Sequence, residues 1–198
     1  QAWEASVGQS GKPFGLMTSQ RTGLTQAVSA YGLVVVSDID GQRIVALDAL
    51  DGEEQWVYHV GGRVEYPPTL YRGLSLCAAR DGWVHCLDAK TGKLLSAEKF
   101  APLTWATHVD MKTGRPVEVP EARFDITGQP AIVAPAALGM HNWHPMAFSP
   151  ETGLVYLPVT VSSATYASPE KFELNLAGWN TGISFSAGPN VTPVAAMG

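Results

Sequence analysis

Residues 73–95, GLSLCAARDGWVHCLDAKTGKLL, decide the fold. Two short runs of largely apolar residues flank the turn Asp81-Gly82, and a second turn follows at Thr91-Gly92. Glycine supplies positive φ in tight turns, and an aspartate side chain accepts backbone hydrogen bonds in the turn that it opens. This combination is typical of β-hairpins rather than of helices.

The same pattern occurs one repeat earlier, in residues 32–56, GLVVVSDIDGQRIVALDALDGEEQW. Gly32 and Gly73 are 41 residues apart, and Gly52 and Gly92 are 40 residues apart. A period of about forty residues with hairpin chemistry indicates a repeat architecture in which each unit is a four-stranded β-propeller blade. Fragments of the pattern return at residues 110–114 and 150–158.

The composition also favours an all-β protein. Hydrophobic residues make up 45% of the chain and charged residues 16%, which is typical of a globular protein, while 20 Gly and 14 Pro indicate many turns. We therefore predict about four to five four-stranded blades. Residues 115–140, where prolines are closely spaced, are expected to form a long excursion between blades.

Several classes of protein are disfavoured by the sequence. The net charge is −5 and the 13 basic residues form no run, so nucleic acid is not an expected partner. No apolar stretch reaches the roughly 18 residues of a membrane span. No Cys-x-x-Cys-His motif for haem occurs, and Cys and His lack the paired spacing of zinc sites. Residues 1–4 lack a signal-peptide pattern, which leaves either a removed leader or an internal piece.

The two cysteines, Cys77 and Cys86, lie on either side of residues 80–82. If the turn has two residues, Cys77 lies opposite Cys86 and a cross-strand disulfide can form. A three-residue loop with a bulged glycine shifts the register by one and places Cys77 opposite His85. Both registers are open from the sequence.

Residues 82–95 resemble the repeat of pyrroloquinoline quinone (PQQ) proteins. Further motifs occur in the order seen in PQQ-dependent alcohol dehydrogenases, so that the resemblance covers residues 79–185. The motifs are LSAEKF at 95–100, WAT at 105–107, KTGRP at 112–116, HNWHPM at 141–146, GLVY at 153–156 and GWNTG at 178–182.

The first part of the chain, residues 1–78, resembles the broader set of PQQ-like propeller proteins, and residues 186–198 are interpreted as a tail. The resemblance implies one quinoprotein-type propeller segment over residues 1–198, an incomplete arc of an eight-bladed ring. Four or five blades do not close such a ring, so we expect exposed strand edges and self-association. Trp56, which closes the first repeat, is expected to pack between neighbouring blades; the second repeat has Ser96 in its place.

The resemblance also implies cofactor-binding residues. In the dehydrogenases the quinone lies in the central funnel beside a calcium ion and a catalytic aspartate. Arg80 falls where the family has a Lys or Arg that contacts the quinone oxygens, although an exposed turn residue is the simpler alternative. Asn142 and Trp143 match a pair at the quinone's rim, where the amide can bind an oxygen and the indole supplies an apolar wall. Core packing is an equally simple interpretation of Trp143.

Other parts of the family pattern are missing. No motif matches the calcium ligands, and residues 61–68 replace the segment that should carry the catalytic aspartate. Glu65 is the only carboxylate in that segment, and its spacing does not match. His141 and His144 are not expected to bind a metal, because their spacing requires a helix and the following proline favours extended chain. Catalytic residues and metal ligands therefore stay unassigned.

Two functions remain. The first is a part or relative of a periplasmic PQQ-dependent alcohol dehydrogenase that oxidises small primary alcohols by hydride transfer to the quinone, with calcium implied by the family. The second is a non-catalytic PQQ-like scaffold for protein binding or assembly, as in outer-membrane assembly propellers.

Overall fold

The structure is a computed structural model that describes residues 23–142, 144–174, 176, 178 and 180–189. These residues form five antiparallel sheets, two with four strands and three with two or three. The all-β, propeller-type fold is therefore confirmed. Within the described residues, no helix is long and apolar enough to span a membrane.

Each complete repeat forms one four-stranded sheet whose strands pair in chain order. The first blade contains β1 (Val28–Ala30), β2 (Leu33–Asp38), β3 (Arg43–Asp48) and β4 (Glu54–His59). The second blade contains β5 (Thr69–Tyr71), β6 (Leu74–Ala78), β7 (Trp83–Asp88) and β8 (Leu94–Lys99).

The later sheets are smaller. β9 (Ala106–Val109) pairs with β10 (Pro116–Glu118), and β12 (Ala147–Ser149) pairs with β13 (Leu154–Tyr156). β11 (Ala131–Val133), β14 (Ala164–Ala167) and β15 (Ser184–Ala187) form the three-stranded sheet. The proline-rich excursion holds a 3-10 turn at Pro120–Ala122 and the short helix α1 at Phe124–Thr127.

The first hairpin of each blade uses the same turn. Tyr31 and Gly32 both have positive φ, at 58° and 76°, and Arg72 and Gly73 repeat this at 47° and 80°. Two consecutive residues with positive φ match the right-handed twist of the strands that they join. The two tips also touch, since the Tyr31 hydroxyl accepts a hydrogen bond of 2.9 Å from the backbone N–H of Gly73.

The Asp-containing turns also repeat. The Asp88 carboxylate accepts hydrogen bonds from the backbone and the hydroxyl of Thr91, and Asp110 does the same with Thr113. The glycine that follows closes each turn by donating to the aspartate carbonyl, at 2.8 Å in both cases. The Asp88 turn lies 40 residues after the corresponding turn at Asp48, where Gly52 likewise donates to the aspartate carbonyl, and these two turns mark the forty-residue period.

The strand register of the second blade shows which residue lies opposite Cys77. Cys77 lies opposite His85, and both cysteines are free thiols. The loop between β6 and β7 contains residues 80–82, with Gly82 at φ 98°. The three-residue loop with a bulged glycine is therefore confirmed, and the register that would pair the two cysteines is wrong.

Trp56 joins the two blades as expected. Its indole N–H donates to the carbonyl of Ala89 at 3.1 Å, and its ring lies against Gly92. A Cβ at Gly92 would lie 2.6 Å from the indole, so only glycine fits beneath the ring. The main hydrophobic core accordingly runs through both blades, from Leu33 to Val109.

Candidate functional site

Arg80 begins the three-residue loop of the second blade. Its backbone N–H donates to the carbonyl of Arg63 at 2.9 Å, which ties the loop to the segment between the blades. Its side chain is only 23% exposed. The interpretation as a freely exposed turn residue is therefore wrong.

The guanidinium of Arg80 holds three groups at once. Nη1 lies 3.1 Å from Oε1 of Glu65, while Nε and Nη2 donate to the carbonyl of Leu138 at 3.2 and 2.8 Å. Nη2 also donates to the carbonyl of Ala137 at 3.4 Å. Arg80 thus links the second blade to the 137–138 loop.

Asn142 reaches the same oxygen. Its amide Nδ2 donates to the Leu138 carbonyl at 2.9 Å, so Arg80 and Asn142 converge although they are 62 residues apart in the sequence. Trp143, the third residue that the resemblance implied, lies outside the described residues.

The loop approaches Arg80 closely because residue 139 is glycine. Gly139 has φ 76°, and a Cβ there would lie 2.6 Å from the backbone oxygen of Arg80. The next residue, Met140, is fully buried and donates its backbone N–H to that same oxygen at 2.8 Å. A larger residue at 139 would push the loop away from Arg80.

Glu65 is surrounded by basic groups. Besides Arg80, its Oε1 atom lies 3.7 Å from Nε of Arg63, whose Nη2 lies 3.7 Å from Oδ1 of Asp40. Burial lowers the pKa of the nearby His141, whereas the Glu65 charge acts in the opposite direction. The Glu65 carboxylate therefore lies beside two guanidinium groups, at a position where the carboxylate of a ligand would also be favoured electrostatically.

Asp81, which the sequence indicated as a turn residue, also places a carboxylate oxygen in the protein interior, and the sequence did not indicate this burial. Its Oδ1 accepts the backbone N–H of Trp83 at 3.2 Å, but its Oδ2 is buried without a hydrogen-bond partner among the described residues. Burial raises its pKa to about 7. The carboxyl packs against Gly62, where a Cβ would lie 2.9 Å from its Cγ, and this glycine is the only sequence signal of the contact.

A second missed feature is a buried polar contact between the blades. The Tyr58 hydroxyl lies 2.9 Å from Nδ1 of His85, and His85 is fully buried. Burial lowers the pKa of His85 to about 4, so the ring is neutral at pH 7. The pair is a packing contact within the core that both blades share.

The described residues offer no metal centre. In that part of the chain, no group of three or more His, Cys, Asp or Glu side chains could hold a metal ion. A cavity of about 380 Å³ lies elsewhere, between the second blade and the β12–β13 hairpin, and its lining includes Tyr71, Arg72 and Phe148. Neither Arg80 nor Asn142 lines this cavity.

Comparison with known proteins assigns the sequence to a family. Residues 1–168 match the PQQ_2 family model, which is described as outer membrane protein assembly factor BamB. The chain belongs to this family. The match covers both four-stranded blades and the residues that surround Arg80.

The chain is also similar to quinoprotein enzymes. It is 39% identical over 127 residues to quinohemoprotein alcohol dehydrogenase ADH IIB of Pseudomonas putida, a match that covers 64% of this chain and 18% of that protein. It is 36% identical over 169 residues to the quinohemoprotein alcohol dehydrogenase of Comamonas testosteroni, covering 74% and 23%. The chain thus spans about a fifth of the length of these relatives.

A solved structure supports the same relationship. Quinohemoprotein alcohol dehydrogenase ADHIIG from Pseudomonas putida HK5 matches with a TM-score of 0.63 and 26% identity, over 83% of this chain and 30% of that one. The resemblance to PQQ-dependent alcohol dehydrogenases that the motifs indicated is therefore confirmed.

The resemblance implies two cofactors, PQQ and calcium, and the side chains near Arg80 can be compared with the groups that each cofactor needs. The donors of Arg80 and Asn142 already surround one acceptor oxygen, that of Leu138, at 2.8 and 2.9 Å. Guanidinium and amide N–H groups are donors of the type that fits the carbonyl and carboxylate oxygens of PQQ, and in this structure they donate to the chain's own Leu138 carbonyl. Calcium requires six to eight oxygen ligands, and the described residues show no carboxylate cluster that fits it.

Proposed function

We propose that this chain is a segment of a PQQ-dependent alcohol dehydrogenase and that it supplies one wall of the quinone site, where small primary alcohols are oxidised. The observation that carries the proposal is the convergence of Arg80 and Asn142 on one acceptor oxygen. The relatives that are named alcohol dehydrogenases support the reaction class. A periplasmic location belongs to the same proposal.

Arg80 and Asn142 would hold the cofactor by donating hydrogen bonds to its oxygens. When bound, the quinone supplies the hydride acceptor for alcohol oxidation. The fixed charge of Arg80 stabilises negative charge on those oxygens, and the Leu138 contact limits the movement of the guanidinium. Calcium and the catalytic base belong to the proposal through the family alone, because the described residues do not provide a site for the ion.

The proposal predicts that Arg80→Ala weakens PQQ binding to the purified chain by at least about tenfold, because a charge-assisted hydrogen bond contributes roughly 1.5–3 kcal/mol. Binding is measured by following PQQ absorbance during titration with calcium present, and dye reduction by ethanol is followed in parallel.

Arg123→Ala is the matched control. Arg123 also forms ion pairs, with Glu118 and Asp125, but lies outside the Arg80 site. If wild-type chain fails to bind PQQ at high micromolar concentration, the enzyme proposal is wrong for this chain.

The alternative function is a non-catalytic propeller scaffold for protein binding or assembly. It is favoured by one observation, that Arg80 is already paired with the chain's own Glu65 at 3.1 Å. The description of the matching family model, an outer membrane protein assembly factor, supports it as well. Absence of PQQ binding in the same titration is the result expected for a scaffold.

A further inference from the structure

We propose that Glu65 is an internal counter-ion that determines how tightly Arg80 binds an anionic ligand. This inference rests on the proposed function, because it concerns the same arginine. Glu65 would act as a specificity-determining residue that competes with the ligand's carboxylates for the guanidinium.

The competition follows from the position of one oxygen atom. Oε1 of Glu65 lies between two guanidinium groups, 3.1 Å from Nη1 of Arg80 and 3.7 Å from Nε of Arg63. A ligand carboxylate that approached Arg80 from this side would meet the Glu65 carboxylate at the same nitrogen. The Glu65 side chain is only 21% exposed, so solvent screens this repulsion incompletely.

The charges around Arg80 are balanced only while Glu65 is present. Arg63 and Arg80 are positive, and Glu65 and Asp40 are negative. Neutralising Glu65 leaves a net positive charge, and Asp40 contacts Arg63 rather than Arg80. The freed charge is therefore located at Arg80.

Arg80 keeps its position without Glu65. Two of its nitrogens donate to the Leu138 carbonyl, at 2.8 and 3.2 Å, and these contacts do not involve the Glu65 carboxylate. Its backbone is held from both sides, by the Arg63 carbonyl and by the N–H of Met140. Removing the carboxylate frees Nη1 while the rest of the side chain stays anchored.

The test compares Glu65→Gln, Glu65→Asp and Glu118→Gln in the full chain. Glu65→Gln removes the charge and preserves the shape, whereas Glu65→Asp retains the charge and should restore wild-type affinity. Glu118→Gln removes a carboxylate of the same kind from another Arg–Glu pair, that with Arg123 at 2.6 Å.

Two probes are titrated into each protein, with intrinsic tryptophan fluorescence as the readout. PQQ reports on the quinone site, and benzene-1,3,5-tricarboxylate carries three carboxylates without a quinone. We expect Glu65→Gln to bind both probes about five- to fifty-fold more tightly than wild type, because the variant lacks the carboxylate that repels the ligand and because partial exposure to solvent keeps this repulsion moderate. Its affinity should also fall more steeply with salt.

The outcomes separate this inference from the proposed function. Equal affinities of wild type and Glu65→Gln for both probes, or tighter binding by Glu118→Gln as well, would overturn the role of Glu65. Tighter binding of the tricarboxylate by Glu65→Gln, with no PQQ binding by either protein, would support the counter-ion and contradict the quinone function. Failure of both probes to bind Glu65→Gln would overturn the inference.

Discussion

Asp81 has two opposite effects on the stability of the folded state. Its Oδ1 closes the turn by accepting the Trp83 N–H, but its Oδ2 is buried without a partner among the described residues. An ionised carboxylate in such a position lacks the solvation that it has in the unfolded chain. The asparagine side chain would make the same turn contact without the charge.

Asp81→Asn is therefore predicted to stabilise the chain at pH 8 by roughly 2–4 kcal/mol. Burial raises the pKa of Asp81 to about 7, well above the ordinary value of an aspartate, so the folded state binds the proton more tightly than the unfolded state. The wild-type chain should lose stability from this group as the pH rises from about 4 to 7. Urea unfolding of both proteins at pH 5 and pH 8 measures the effect.

The opposite pH dependence of His85 does not obscure this comparison. Its pKa is lowered to about 4, so its contribution to stability is lost as the pH falls from 6.5 towards 4, and both proteins share that loss. A gap between wild type and Asp81→Asn that is the same at both pH values would contradict the prediction.

At the level of single residues, the sequence indicated two residues that meet in the structure, but it did not indicate which side chains are buried. Arg80 and Asn142 were identified through motifs, and the structure brings them together. Their meeting point is a backbone carbonyl, that of Leu138, which no side-chain pattern can reveal. Asp81 resembled an ordinary turn residue because its burial depends on the packing of Gly62, a contact between distant parts of the chain.

At the level of elements, blade packing depends on matching a large ring to a glycine turn. Trp56 of β4 lies on Gly92, which follows the Asp88 turn of the second blade. The equivalent place on β8 is Ser96, which faces Cys86 as Trp56 faces Ala46. The repeat therefore provides this aromatic contact at the first blade and not at the second.

Gly92→Ala is predicted to destabilise the chain by about 2–4 kcal/mol. The new Cβ would lie 2.6 Å from the Trp56 ring, and alanine is also disfavoured at φ 69°. Thermal and urea unfolding of the variant measure the loss.

Gly153→Ala provides the control, because Gly153 has the same φ of 69° in an equivalent turn and a Cβ there would meet nothing within 4 Å. It should lose only about 1–2 kcal/mol, the backbone part of the effect. Equal losses in the two variants would show that the ring contact contributes nothing.

The elements themselves were largely predictable. Paired hairpins and glycine turns follow from the forty-residue period, because the local turn chemistry and the strand pattern agree, whereas the Trp56 contact was implied by the resemblance to quinoprotein propellers. The cysteine register was undetermined, since one residue in the loop decides which side chains face each other. The smaller sheets after residue 100 lack the full repeat, so their partners, such as β11 and β14, depend on long-range packing.

For the molecule as a whole, exposed edges predict self-association. The four residues of β15 at the edge of the three-stranded sheet are all exposed, and Phe185 among them is 65% exposed. Leu174 and Leu176 add further exposed apolar surface. An edge strand with unpaired backbone groups is a template for pairing with another chain.

Sedimentation velocity of the purified chain should therefore show a mass that increases with concentration. Phe185→Lys, which places a charge on the β15 edge, should reduce this increase because charged residues discourage edge pairing. A monodisperse monomer that unfolds cooperatively at all concentrations would contradict the expectation.

The contact between the two hairpin tips bears on how such a chain can grow by duplication. The Tyr31 hydroxyl accepts the hydrogen bond from the backbone N–H of Gly73, so the first unit supplies the side chain that connects it to the unit that follows. The second unit has Arg72 in that place, and its guanidinium lies 5.1 Å above the ring of Tyr71 in its own strand. Duplication of the first unit would also duplicate the tyrosine that accepts a hydrogen bond from the next unit. Duplication of the second unit would give neighbouring units whose hairpin tips lack the Tyr31 hydroxyl.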